Sequence, residues 1–133
     1  MAKKKSFARG SLFKIDQRSN AATITKPVSL KSKKIKEERL EDWIENTPDI
    51  LGEEILIIAR QYSDFEGYND SVDILGLDKD ARLVIVENKR EGDKDHDLQA
   101  IRYLALLSTF TVENLLSVLE DYLNTLGKSN AWE

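Results

Sequence analysis

Cysteine is absent from the 133 residues of this chain. That excludes disulfides, thiolate metal sites and cysteine nucleophiles, and it fits a reducing compartment, so the cytoplasm is the expected location. Histidine occurs once, as His96. It stands at a predicted helix start among Asp93, Asp95 and Asp97, acids that the helix dipole favours there. We read it as a helix-start residue rather than a general base or metal ligand. No apolar run approaches the length of a membrane-spanning helix, so no membrane partner is expected. The start, Met1 to Phe7 with Lys3, Lys4 and Lys5, lacks the apolar segment of a secretory signal. Internal repeats and low-complexity stretches are also missing. What is present is 41% hydrophobic and 33% charged, as in ordinary globular proteins and enough for one domain with a real core.

The net charge of -4 hides an asymmetry. Residues 1–36 carry 11 Lys and Arg against one acid, Asp16, a balance of +10; residues 37–133 carry 9 against 23, a balance of -14. A basic arm on an acidic domain can bind phosphate backbones. Lys3 to Lys5 read as a solvated tail. Lys31, Lys33, Lys34 and Lys36 lead directly into the first predicted helix.

Residues 1–10 are expected to be a disordered basic tail, and 11–31 a short hairpin and connector. Leu12 to Asp16 and Ala22 to Thr25 form its two strands around Gln17-Arg18-Ser19-Asn20. Residues 32–128 form the main domain. A helix is predicted from about Ser32 to Asn46, stopped by Thr47-Pro48, with Leu40, Trp43 and Ile44 as its apolar face. Trp43 reads as core, and Glu38 and Glu45 as facing water. A strand follows from Glu54 to Tyr62, then a polar loop to Asp70. The aromatics of that stretch, Tyr62, Phe65 and Tyr68, suit either base stacking or local packing. A second helix is predicted from Asp95 to Thr109, with Leu98, Ile101, Leu104 and Ala105 at helical spacing. A third runs from Glu113 to Leu126 and is ended by Gly127.

Between loop and second helix lie two apolar runs, Val72-Asp73-Ile74-Leu75-Gly76-Leu77 and Arg82-Leu83-Val84-Ile85-Val86-Glu87-Asn88-Lys89. The turn Asp78-Lys79-Asp80 joins them as a hairpin. Asp73, Glu87 and Lys89 then gather on an apolar sheet, which is costly unless they are paired or bind a metal. Glu87 and Lys89, two apart, share a strand face. Two carboxylates suit Mg²⁺ or Mn²⁺ with water and phosphate completing the shell. Lys89 can orient an attacking water and stabilise developing charge. The three residues therefore suit phosphodiester hydrolysis; a strand-end salt bridge is the plainer alternative.

An Asp, a hairpin and Glu-x-Lys in this order resemble the PD-(D/E)xK nuclease superfamily. Leu40 to Leu51, the strand after it and the hairpin through Arg90 are similar to the NucS-type endonuclease domain. Gln99-Ala100-Ile101-Arg102-Tyr103 resembles the Gln-x-x-x-Tyr element of NucS-like and RecB-like members. The likeness covers roughly residues 35–126. It implies an α/β restriction-endonuclease-like core, a mixed sheet flanked by helices, with the N-terminal β-hairpin attached. It also implies a metal-dependent DNA endonuclease of DNA repair or defence. Glu37, Asp73 and Glu87 would hold Mg²⁺ or Mn²⁺, with Lys89 on the water. Gln99 and Tyr103, one turn apart, would complete the catalytic set. Glu41, one turn after Glu37, is the reserve ligand on the first helix. Arg90, Lys94 and Arg102 flank the site.

Two departures from the pattern are Val72, where proline often precedes the Asp, and Asn88, where an apolar residue is usual. The family's core ordinarily continues with another strand after these helices. A chain ending at Trp132-Glu133 is therefore expected to be a fragment, or a short member completed as a homodimer. The implied partner is DNA, which in NucS-like relatives is single-stranded, branched or mismatched. The alternative is a catalytically inactive nuclease-fold module that binds nucleic acid or protein.

Overall fold

Alternating and continuous apolar runs become three neighbouring strands in the computed structural model, which describes residues 12–65, 67–89 and 96–128. The expected basic tail, Arg90 and Lys94 lie outside those residues, as does the side chain of His96. The strands are β3 (Ile55–Tyr62), β4 (Val72–Asp78) and β5 (Leu83–Val86), in the order β3-β4-β5. Both pairings are antiparallel. A mixed sheet was expected, but the described strands follow one another through short connections, whereas parallel pairing needs a long crossover. Separately, β1 (Phe13–Asp16) and β2 (Ala21–Ile24) pair as the predicted antiparallel hairpin.

β4 is buried from Val72 to Gly76 and is the centre of the sheet. Neighbouring residues of a strand face opposite ways. Ile74 accordingly joins Ile44 and Ile57 in one cluster, and Leu75 joins Ile58, Tyr103 and Leu107 in another. Each such side chain, fully buried, contributes about 1.5–3 kcal/mol. Gly76 keeps β3 and β4 close: a Cβ there would meet Ile55 Cγ2 at 2.5 Å and Leu56 O at 3.1 Å. The turn after β4 is closed by Asp78, whose Oδ1 accepts the N–H groups of Asp80 and Arg82 at 2.9 and 2.8 Å.

The described residues also form the helices α1 (Glu37–Asn46), α2 (His96–Leu107) and α3 (Val112–Thr125). α1 begins five residues later than expected, because Leu30 to Lys34 form turns and Lys34 sits at φ 55°. It ends at Thr47-Pro48 as predicted, and Pro48–Leu51 adds a 3-10 turn. α3 starts on a capping box of Thr111 and Asn114 and closes before Gly127 at φ 70°. Two helical faces differ from the reading of the sequence. Trp43 is 43% exposed, and Ile44 alone of that stripe is fully buried. Leu98, Ile101 and Leu104 are also exposed, while Tyr103 and Leu107 carry α2 into the core. α2 is apolar almost all round, so spacing could not select the buried side.

Candidate active site

β4 places Asp73 beside the end of β5. The pair Ile74↔Val86, continued by one residue, sets Asp73 abreast of Glu87. Asp73 is buried, and its carboxylate is held from two sides. The Asn88 N–H donates to Oδ2 at 2.7 Å, and Gln61 Nε2 donates to Oδ1 at 3.3 Å. Burial pushes the Asp73 carboxyl above its ordinary value. The Asn88 N–H offsets part of this, and the charge of Glu41 adds to it.

Glu87 is the anomaly of the site. Its side chain is 7% exposed, with Lys89 Nζ 3.1 Å from Oε1. Apart from this ion pair, both carboxylate oxygens are buried without a partner. Burial pushes the Glu87 carboxyl up; Lys89 offsets this in part, and the Asp73 charge raises it further. Burial would lower Lys89, but the charges of Glu87, Asp73 and Glu37 outweigh it and raise the ammonium.

A carboxyl raised in the fold favours the folded state when protonated. That contribution is fully present below the unfolded carboxyl range, around pH 4. It is lost as pH rises through the folded value. Glu87→Gln should therefore stabilise the metal-free domain at pH 8 by about 1 kcal/mol, and the gain should vanish near pH 4. Urea unfolding at both pH values checks this; equal stability at pH 8 would contradict the burial cost.

α1 brings two further acids. Glu41 is 3% exposed, and its Oε2 accepts Gln61 Nε2 at 2.9 Å and Arg60 Nε at 3.2 Å. One amide thus joins Glu41 to Asp73. Glu37, the first choice from the sequence, is half-buried one turn earlier, and its charge reaches Lys89. Among the described residues, no three acid or imidazole side chains form a ready-made metal cluster. Glu45, expected to face water, is instead a partner of Arg60 Nη1 and of the Tyr122 hydroxyl, both at 2.7 Å.

Gln99 and Tyr103 do meet, Nε2 donating to the hydroxyl at 2.9 Å. Tyr103 is fully buried, stacks on Phe65 and donates its proton to Ser71 O at 2.8 Å. Its hydroxyl is thus already used twice. It ties α2 to the residue before β4, and so acts on Asp73 through the backbone. Tyr103→Phe should cost about 1–2 kcal/mol in urea unfolding, since Ser71 O and Gln99 lose a partner; no loss would place the hydroxyl outside the fold's support. Phe65 and Tyr62 pack edge to face at 5.1 Å, which favours packing over base stacking for these two; Tyr68 is exposed. Arg102 pairs with Asp70.

Three contributors escaped the sequence reading: Arg60, Gln61 and Ser71. Arg60 had a signal, a charge closing the apolar run Ile55 to Ala59, by the reasoning that singled out Asp73. Gln61 and Ser71 carried none.

The family model for the endonuclease NucS C-terminal domain matches residues 36–120. The chain belongs to the NucS C-terminal domain family. This span contains Glu37, Glu41, Asp73, Glu87, Lys89, Gln99 and Tyr103, and leaves the β1–β2 hairpin and Tyr122 outside. The chain is also 40% identical over 72 residues to the endonuclease NucS of Streptomyces griseus, which is 54% of this chain and 31% of that protein. The chain therefore spans under a third of this NucS relative. No solved structure matches.

Proposed function

We propose that this domain is a Mg²⁺- or Mn²⁺-dependent deoxyribonuclease that cleaves internal phosphodiester bonds, in DNA repair or defence. The observation that carries this reading is Glu87, a carboxylate buried beside Asp73 with the Lys89 ion pair as its charge partner, and pushed up by that burial. Such a group is costly in the protein alone and suits a divalent cation, which takes one or two carboxylates plus water and phosphate. Asp73 and Glu87 would hold it, with Glu41 or Glu37 as the α1 acid. The bound cation supplies a more acidic water and neutralises phosphoryl charge.

The chain's own groups do the rest. Lys89 can donate a hydrogen bond to the attacking water and place positive charge beside the phosphoryl oxygens. The Asn88 N–H and Gln61 fix the aim of the Asp73 carboxylate. Gln99 and Tyr103 fix Ser71, and through it the start of β4. The exposed Lys31, Lys33, Lys34 and Lys36 precede α1 and suit the DNA backbone, with salt-dependent affinity.

Labelled single-stranded, duplex and branched DNA incubated with the chain tests this. Cleavage in Mn²⁺ or Mg²⁺ that EDTA stops is expected. A second reading, an inactive DNA- or protein-binding module, is favoured by the lack of a ready three-acid cluster among the described residues. It predicts intact DNA of all three kinds with either metal.

A further inference from the structure

Gln61 is in an irregular place for a strand residue. Neighbours in a regular strand face opposite ways, yet Arg60 and Gln61 both donate to Glu41 Oε2, at 3.2 and 2.9 Å. One irregularity of β3 allows it. The pairing with β4 is regular from Ala59 to Tyr62, but Gln61 takes φ 50°, a region side chains rarely adopt. The outcome is an amide between two carboxylates of different elements, Glu41 of α1 and Asp73 of β4.

The orientation of that amide is fixed. Two carboxylate acceptors admit only its NH₂ end. Its Oε1 accepts from Ser71 Oγ at 2.9 Å, and Ser71 O in turn accepts from the Tyr103 hydroxyl. A hydrogen-bonded path thus runs from Gln99 through Tyr103 and Ser71 to Gln61. A donor shared by two carboxylates lies where a cation bound by both would lie. Gln61 is also solvent-accessible, so it can leave without opening the core.

We infer that Gln61 is a placeholder for the cation: its amide bridges Glu41 and Asp73 in the metal-free domain and competes with the divalent ion for that seat. This rests on the proposed metal-binding role of Asp73. Gln61 therefore holds the two acids in place before metal arrives and lowers the affinity with which it is taken up. It is a positioning residue; it touches no reacting atom.

The test is Mn²⁺ titration by calorimetry on the whole chain, comparing wild type with Gln61→Gly and Gln61→Met. Glycine suits the positive φ, and methionine keeps the volume while removing the donor, should glycine loosen the strand. Mn²⁺ should bind both variants roughly five- to thirtyfold more tightly, the scale of the two competing hydrogen bonds lost. In EDTA both should melt below wild type, and Mn²⁺ should raise their melting temperature by more. Equal or weaker Mn²⁺ binding in the variants, with wild type binding normally, overturns the placeholder role and leaves the nuclease reading standing. No Mn²⁺ binding by wild type overturns both.

Discussion

Replacing Asp73 by alanine is expected to abolish Mn²⁺-dependent DNA cleavage, roughly a thousandfold or more, in a chain that stays folded. The loss is large because Asp73 is linked to several parts of the site at once. It takes the Asn88 N–H, shares Gln61 with Glu41, and acts electrostatically on Glu87 and Lys89. The fold should survive because the ionised Asp73 is a cost to the metal-free domain: burial and Glu41 both oppose its charge. Removing it leaves the Asn88 N–H without its acceptor, worth about 1–3 kcal/mol, and the relieved charge offsets part of that. Asp73→Asn keeps the shape and should be equally inactive. Circular dichroism and a melt establish folding; cleavage is read on the same preparations. Activity equal to wild type in either folded variant would end the assignment of Asp73.

Arg60→Met should destabilise the domain by about 3 kcal/mol in urea unfolding. The guanidinium meets Glu41 at 3.2 Å, Asp42 at 2.8 Å and Glu45 at 2.7 Å. Burial opposes its charge, but these partners, Glu45 and Asp42 foremost, raise the guanidinium well above its ordinary value. Removing one side of such a network leaves Glu41 almost fully buried and short of a partner. Lysine should not rescue it, because one ammonium cannot span three carboxylates. Tyr122→Phe should cost about 1 kcal/mol alone, and the pair should be non-additive because both act on Glu45. A loss below about 1 kcal/mol for Arg60→Met would place these contacts among ordinary surface pairs.

The sheet was legible because its signal is long. Ile55 to Ala59 and Val72 to Leu77 are apolar runs with turn residues between them, and each became a strand; of the run Arg82 to Lys89, Leu83 to Val86 did, the strand ending before Glu87. The juxtaposition of Asp73 with Glu87 followed from hairpin pairing alone. The helices were legible in extent more than in facing. On α1, Glu37 and Glu41 lie one turn apart on the same stripe, and which one meets Asp73 depends on Gln61, a partner that no helical spacing reveals. On α2, both sides are apolar, so Leu98, Ile101 and Leu104 looked as buried as Tyr103 and Leu107. Gln61 itself was out of reach: alternation places a strand residue by its parity, and a single left-handed φ cancels that parity.

The hydrogen bond from Tyr122 to Glu45 spans 77 residues. Its consequence lies in synthesis. Chains emerge from the ribosome at about 5–20 residues per second, so Glu45 waits for seconds before Tyr122 of α3 exists to hold it. Asp73 and Glu87 become neighbours as soon as their hairpin closes. Glu41 can be held by Arg60 and Gln61 once β3 packs on α1, whereas Glu45 gains its Tyr122 partner only when α3 docks. Docking of α3 thus sets the time at which Glu45 reaches its final arrangement.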